Sequence, residues 1–207
     1  MALDPEAANG RACAPPPHPL DAWRQPRRLL EALALQPGQH VAEIGAGGGY
    51  LTPWLAWAVG SGGRVVATEE DPLALAALQR RTAGLPQVVV QGSASARLDT
   101  GAYDLILLAQ VDHLLPEGAL AALWPALRPG GQLALCNTEP RLAGARRAAL
   151  ALDEIAVLRE PALELPGQFL LLLRHRDLSG LAGIRPGGRE PDSARTADLA
   201  QGGAASE

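Results

Sequence analysis

The chain contains no lysine, and its 18 basic residues are all arginine. With abundant Ala, Gly, Pro and Leu, this bias is typical of a GC-rich bacterial genome and carries no chemical information. Acidic residues outnumber basic ones, and the formal net charge is -4. Such a charge excludes bulk electrostatic attraction to nucleic acid, so no nucleic-acid partner is predicted.

Cysteine and long apolar runs are scarce as well. Cys13 lies in a proline-rich stretch, whereas Cys136 ends an apolar run. Contexts so different argue against a structural disulfide. No apolar run approaches the length of a membrane span, and the first residues lack the pattern of a secretion signal. We therefore expect a cytoplasmic protein without a membrane contact, and no metal ligands are predicted.

The two ends of the chain lack hydrophobic periodicity. Residues 1–19 include the run Pro15-Pro16-Pro17, and residues 177–207 are rich in Gly, Ala and charge. Both compositions predict disorder, in an N-terminal arm and a C-terminal tail. Residues 20–176 remain as one domain, and a hydrophobic content of 47% is enough for a sizeable core.

Between the two ends, strand-like and helix-like segments alternate. Helices are predicted at 25–35, 49–58, 71–83, 116–127 and 141–157, and strands at 39–44, 64–69, 87–91, 104–109 and 131–137. This alternation predicts a parallel sheet covered on both faces. Apolar runs at 158–165 and 169–174 flank Pro166-Gly167, which predicts an antiparallel hairpin. We expect an α/β fold: a Rossmann-like three-layer sandwich with a mostly parallel seven-stranded sheet.

The most informative segment is Glu43-Ile44-Gly45-Ala46-Gly47-Gly48-Gly49. It predicts a buried strand that ends in a glycine-rich turn and opens a helix. Glycines allow positive φ and carry no Cβ, so a ligand can approach the backbone beside a helix N-terminus. The dinucleotide fingerprint requires a glycine where Tyr50 or Thr52 stands, which disfavours NAD. The alternative is an ordinary tight turn between strand and helix.

A second acidic residue follows the glycine turn at about the spacing of the ribose-binding acid in Rossmann-like folds. The strand-like run 64–69 ends in Glu69, about 20 residues past the turn. A carboxylate there offers two acceptor oxygens to the vicinal hydroxyls of a ribose. The alternative is a solvated acid at a strand end, since Asp71-Pro72 already carries the N-cap signal of the next helix.

These segments resemble motifs of class I S-adenosylmethionine-dependent methyltransferases. Residues 103–108, the run Leu-Arg-Pro-Gly-Gly-Gln-Leu at 127–133 and the approach segment from Trp23 to Gly38 are similar to further motifs of that family. The Pro-Gly-Gly run predicts a helix end before a buried strand. The resemblance spans residues 20–175. It implies S-adenosylmethionine as cofactor, with the ribose at Glu69 and the methionine end at Glu43, Gly45, Ala46, Gly47, Gly49 and Tyr50.

The adenine end departs from the family pattern at two places. Where the family's third strand ends in Gly-Asp-Ala, this chain has Gly92-Ser93-Ala94, so adenine would meet Ser93 and Ala94 without a carboxylate. Glu70 stands where an apolar residue usually packs on the adenine ring. Both departures predict a weaker adenine contact.

The acceptor side is predicted at residues 109–114, because the corresponding loop often faces the methyl group in the family. Gln110 is expected at the cofactor, and Asp112 or His113 is the candidate base if the acceptor has a proton to lose. The loop lacks the Asn/Asp-Pro-Pro-Tyr motif of many amino-methylating enzymes. Gly49 to Thr52 is similar to protein-isoaspartate methyltransferases, whose N-terminal substrate-binding pattern is missing.

We expect methyl transfer to a small-molecule acceptor. The alternative is a non-catalytic, methyltransferase-like binding or scaffold protein, and an NAD-linked oxidoreductase is a more distant one. Trp23 and Arg24 lie where such enzymes often fold a lid over the cofactor, while Trp54 and Trp57 are predicted to pack in the core. The oligomeric state is left open.

Overall fold

The computed structural model describes residues 14–92, 98–110, 118–150, 156–159 and 167–175. The helices within these ranges are α1 (Asp21–Arg24), α2 (Pro26–Leu33), α3 (Thr52–Val59), α4 (Pro72–Thr82), α5 (Ala119–Leu123) and α6 (Leu142–Leu150). The strands are β1 (His40–Ile44), β2 (Arg64–Thr68), β3 (Val88–Gln91), β4 (Tyr103–Ala109), β5 (Leu127–Thr138), β6 (Ala156–Arg159) and β7 (Gln168–His175).

The strands form one sheet in the order β3-β2-β1-β4-β5-β7-β6. The first five strands in that order run parallel, and β7 is antiparallel to both of its neighbours. This confirms the predicted α/β class with an antiparallel C-terminal hairpin. Since β1 lies between β2 and β4, the strand order reverses beside the end of β1. In open α/β sheets such a switch point is the usual place for a ligand.

Two apolar clusters cover the two faces of the sheet. One contains Leu33 of α2 and Leu55 of α3 against Val41 and Leu107, and the other joins Trp124 and Ala145 to strand residues of the opposite face. Successive side chains of a strand point to opposite faces, so strands covered on both sides are apolar throughout. Trp54 and Trp57 lie in the first cluster, which confirms their predicted packing role.

The prediction of a helix that continues to Leu127 and ends at Pro-Gly-Gly is wrong. Helix α5 ends at Leu123, a 3-10 turn follows at Trp124–Ala126, and β5 begins at Leu127. Pro125 lacks the N–H that would continue the helical hydrogen bonds. The Pro-Gly-Gly run lies within β5 at a register shift against β4. A Cβ on Gly131 would lie 2.9 Å from the Tyr103 carbonyl oxygen, so only glycine fits there.

The predicted helix 141–157 also extends too far. Helix α6 is described over Leu142–Leu150, residues 151–155 lie outside the described residues, and Ala156–Arg159 forms β6 instead of helix. Its pairing with β7 runs from Ala156 opposite His175 to Arg159 opposite Leu172. Long-range pairing therefore overrides the local helical pattern at these residues.

The described part of the predicted N-terminal arm lies against the body of the protein. Ala14 packs on the core, and the His18 ring lies 5.1 Å from the Tyr50 ring. Residues 1–13 and 177–207 are outside the described ranges, so the domain limits stay a prediction. Within the described part of the chain, no helix has the length and apolar character needed to cross a membrane.

Candidate functional site

The glycine turn links the end of β1 to α3 at the carboxyl edge of the parallel strands. Its glycines have φ values of 67° at Gly45, 57° at Gly47 and 77° at Gly49. Thr68, at the end of β2, holds the turn: its hydroxyl accepts the Gly45 N–H at 3.3 Å, and its carbonyl accepts the Ala46 N–H at 2.8 Å. The turn is therefore fixed by the neighbouring strand rather than by a ligand.

The glycines of the turn differ in the space around them. A Cβ built on Gly47 would meet no atom within 4 Å, so the space above this residue is open to a ligand. A Cβ on Gly49 would lie 2.8 Å from Leu78 Cδ1, because α4 packs against the turn at this point. Gly49, which the sequence associates with the cofactor, therefore allows two elements to approach closely, and Gly47 is the glycine that offers room.

Glu69, which directly follows β2, holds the glycine turn by hydrogen bonds. Its Oε2 accepts the Gly47 N–H at 2.7 Å, and its Oε1 accepts the N–H groups of Glu70 at 2.8 Å and Asp71 at 2.9 Å. A carboxylate has about four lone-pair sites, so the oxygen facing the turn can accept a further hydroxyl. The predicted ribose acid thus has a structural role and retains acceptor capacity for a ligand.

Glu43 is a buried acid beneath the turn, with 2% of its surface exposed. Its Oε2 accepts the Thr52 hydroxyl at 2.6 Å. Burial raises the pKa of Glu43 from 4.5 to about 7, against the opposing effects of the Thr52 hydrogen bond and the Arg24 charge. Near neutral pH this carboxyl is therefore poised between its neutral and ionised forms, and a cationic ligand group would favour the ionised form.

Arg24 faces the same edge of the sheet from α1. Its Nη2 donates to Gln110 Oε1 at 2.7 Å. Burial lowers the pKa of Arg24, while Tyr50, Cys136 and Glu43 act in the opposite direction. Gln110 has a φ of 65°, rare for a residue with a side chain. Arg24 Nε and Gln110 Nε2 are buried donors without a hydrogen-bond partner among the described residues.

A set of polar contacts holds α1 over this edge. The Tyr50 hydroxyl donates to Asp21 Oδ1 at 2.6 Å, and the His18 N–H donates to Asp21 Oδ2 at 2.8 Å. Although burial raises the pKa of Asp21, these hydrogen bonds and the His18 ring lower it overall. Burial, and then the bond to Asp21, raise the pKa of Tyr50 well above its ordinary value. The Tyr50 hydroxyl is thus bonded to Asp21, and its assignment to the methionine end of the cofactor stays a prediction.

The structure places Glu43, Gly45, Ala46, Gly47, Gly49, Tyr50, Glu69 and Gln110 at the carboxyl edge of the parallel strands, and their part in binding a cofactor stays a prediction. Glu70 is exposed, and its N–H donates to Glu69 Oε1 at 2.8 Å. Ser93, Ala94, Asp112 and His113 lie outside the described residues.

Two further side chains belong to this edge of the sheet. Arg24 contacts Gln110, which is 86 positions away in the sequence, and no local sequence pattern predicts this contact. Gln91, the last residue of β3, has a buried Oε1 with no partner among the described residues. The sequence comparison with the family considers Ser93 at the adenine end and gives no signal for Gln91.

Comparison with known proteins agrees with this geometry. A family model described as "Methyltransferase domain" matches residues 42–135, which run from β1 to β5. A protein-L-isoaspartate O-methyltransferase of Methylorubrum populi is 34% identical over 110 residues, covering 52% of this chain and 49% of that protein. A tRNA (adenine(58)-N(1))-methyltransferase of Thermus thermophilus is 36% identical over 121 residues, covering 56% of this chain and 45% of that protein.

Among solved structures, a SAM-dependent methyltransferase from Aquifex aeolicus matches with a TM-score of 0.67 and 20% identity, covering 83% of this chain and 98% of that one. This likeness concerns the fold. Residues 42–135 are thus similar to methyltransferase domains, and the strand order and the structural likeness are consistent with the fold of class I S-adenosylmethionine-dependent methyltransferases. The chain spans about a third to two thirds of the first curated relatives that it matches.

Proposed function

We propose that the protein binds S-adenosylmethionine at the glycine turn and transfers its methyl group to a small-molecule acceptor. The single observation that carries this proposal is the pairing of opposite charges at the turn: the buried Glu43 carboxyl and the Arg24 guanidinium lie at one edge of the sheet. An amino-acid moiety carries an ammonium and a carboxylate, so it complements both groups.

The unpaired polar atoms support the same ligand. Arg24 Nε and Gln110 Nε2 are buried donors, and a ligand carboxylate would accept from both. Glu43 would attract the ammonium, and Glu69 would accept from the ribose. The open space above Gly47 gives the ligand room beside the backbone. At the adenine end, the Gln91 amide oxygen is an acceptor for the exocyclic amine.

The reaction requires little from the protein beyond alignment. Bound S-adenosylmethionine supplies an activated methyl group on a positively charged sulfur, suited to in-line displacement. Arg24 and Glu43 would hold the two ends of the amino-acid moiety, and Glu69 would hold the ribose, which would align the cofactor for transfer. If the acceptor has a proton to lose, Asp112 or His113 is the proposed base.

The acceptor is the least constrained part of the proposal. A net charge of -4 gives no bulk attraction to RNA, which favours a small molecule over tRNA. Proteins similar to this chain nevertheless include a protein-L-isoaspartate O-methyltransferase and a tRNA methyltransferase. Either macromolecule is therefore an explicit outcome of the test.

The test follows methyl label from S-adenosylmethionine into a cell extract separated into small-molecule, protein and RNA fractions. We expect label in the small-molecule fraction, and none with Arg24→Gln. Label confined to protein or RNA would overturn the small-molecule acceptor. Binding of S-adenosylmethionine without transfer to any fraction would overturn catalysis and favour the methyltransferase-like binding protein.

A further inference from the structure

A cavity of about 380 Å³ is lined in part by residues of α3. Its lining includes Pro15–Pro17, Tyr50, Trp54, Trp57, Arg81 and Leu85. Of the described residues assigned to the cofactor, only Tyr50 contributes to this lining. The volume falls within the range of roughly 300–1,000 Å³ that is common for small-molecule sites.

One wall of the cavity is aromatic and held in place. Trp54 and Trp57 lie on successive turns of α3, with their rings in edge-to-face contact at 6.1 Å. The Arg27 guanidinium lies over both indoles, 5.5 Å and 5.4 Å from the ring centroids. Cation–π contacts of this kind fix the rings, so the wall is preformed for a flat ligand.

Another part of the lining, here called the proline roof, is formed by Pro15–Pro17. Pro15–Pro17 have φ restricted by their rings and no N–H to satisfy, which keeps a short segment stiff without internal hydrogen bonds. Both ends of the segment are anchored, because Ala14 packs on the core and His18 donates its N–H to Asp21. The cavity therefore keeps its shape without a ligand.

The permanent charge in the described lining of the cavity is of one sign, positive. Among the described lining residues, Arg81 is the single permanently charged side chain, and it is exposed at the C-terminal end of α4. A guanidinium binds carboxylates and other oxyanions through paired hydrogen bonds. Aromatic walls with one cation at the end complement a planar ring system that carries one anionic group.

We propose that this cavity is a binding site for a planar aromatic anion, separate from the glycine turn. The proposal rests on the aromatic wall, the proline roof and Arg81, and it does not depend on methyl transfer. The probe for its test is 1-anilinonaphthalene-8-sulfonate, a flat aromatic sulfonate whose fluorescence rises in apolar surroundings.

The first arm of the experiment removes the charge. Arg81→Gln is compared with Arg80→Gln, an exposed neighbour on α4 that is not part of the lining. Loss of one exposed, charge-assisted contact should weaken probe binding about fivefold in Arg81→Gln, whereas Arg80→Gln should bind as the unmodified protein does. Equal affinity in the two variants would overturn the role of Arg81.

The second arm of the experiment introduces a larger side chain into the cavity. Gly84 lines the cavity, and Gly62 lies in the turn between α3 and β2; a Cβ on either glycine would meet nothing within 4 Å. Gly84→Leu should reduce probe affinity more than about tenfold, and Gly62→Leu should leave it unchanged, with thermal melting showing that both variants fold. If Gly84→Leu fails to fold, the Arg81 comparison decides.

A competition separates the two sites. S-adenosylhomocysteine should leave the probe fluorescence of the unmodified protein in place. Displacement of the probe by S-adenosylhomocysteine, together with unchanged affinity in Arg81→Gln, would overturn the proposal, because the probe would then occupy the cofactor site. Probe binding that Gly84→Leu does not alter would identify adsorption elsewhere on the surface and would also overturn it.

Discussion

Replacing Glu43 with Gln should stabilise the protein while weakening its cofactor site. The side chain is buried, and its oxygen accepts the Thr52 hydroxyl. Glutamine keeps an acceptor oxygen for Thr52 but never ionises. Because burial raises the pKa of Glu43 from 4.5 to about 7, folding opposes the release of its proton at neutral pH.

The expected magnitude follows from the proton linkage. A rise of the folded-state pKa from 4.5 to about 7 corresponds to about 3 kcal/mol. The unfolded chain releases the proton near pH 4.5 and the folded chain only near pH 7. The stabilising contribution is therefore fully present below pH 4.5 and is lost as the pH rises through 7. Between pH 4.5 and about pH 7, the free energy of unfolding of the unmodified protein should fall by about 3 kcal/mol relative to that of Glu43→Gln.

The assay is urea unfolding of both proteins from pH 4.5 to pH 8 in the absence of cofactor. Glu31→Gln, on the exposed side of α2, is the matched control substitution. At pH 8 Glu43→Gln should be the more stable protein and yet bind S-adenosylmethionine about tenfold more weakly, since one charge-assisted contact is lost. A stability difference that does not vary with pH would refute the reasoning.

Two further substitutions test the scaffold of the site. Glu69→Ala removes the acceptor of three backbone N–H groups and should destabilise the protein by about 2–3 kcal/mol, measured by urea unfolding against Glu31→Ala; unchanged stability would contradict the fastening role. Tyr50→Phe removes the 2.6 Å bond to Asp21 and should cost about 1 kcal/mol at pH 7. Because Tyr50 helps to lower the pKa of Asp21, this cost should shrink as the pH falls through the ordinary value of 3.8, and a cost that grows on acidification would contradict the contact.

The sequence was sufficient where one short segment carries both the fold and the ligand contact. The turn from Glu43 to Gly49 and the acid at Glu69 are local patterns, and the structure places them side by side. The same pattern did not separate Gly47, which is open, from Gly49, which packs on Leu78. That distinction depends on where α4 lies, and residues 43–49 contain no information about it.

What the local patterns leave undetermined depends on contacts between distant parts of the chain. Arg24 belongs to the site because α1 is anchored through Asp21 and Tyr50. The Pro-Gly-Gly run has the composition of a helix end, yet pairing of Leu127 with Tyr103 draws it into β5. In each case the local signal was compatible with two structures, and tertiary pairing decided between them.

The open face of Gly47 gives the most direct test of the proposed cofactor site. Gly38 is a matched control, because both glycines have positive φ and a Cβ on either would meet nothing within 4 Å. Valine at either position carries the same kind of backbone strain, so only the loss of ligand room differs.

The decisive measurement is calorimetric titration with S-adenosylmethionine and S-adenosylhomocysteine. The unmodified protein and Gly38→Val should each bind one equivalent, and Gly47→Val should bind at least about tenfold more weakly. Absence of binding to the unmodified protein at millimolar cofactor, or equal affinity in the two valine variants, would contradict a cofactor site at the glycine turn.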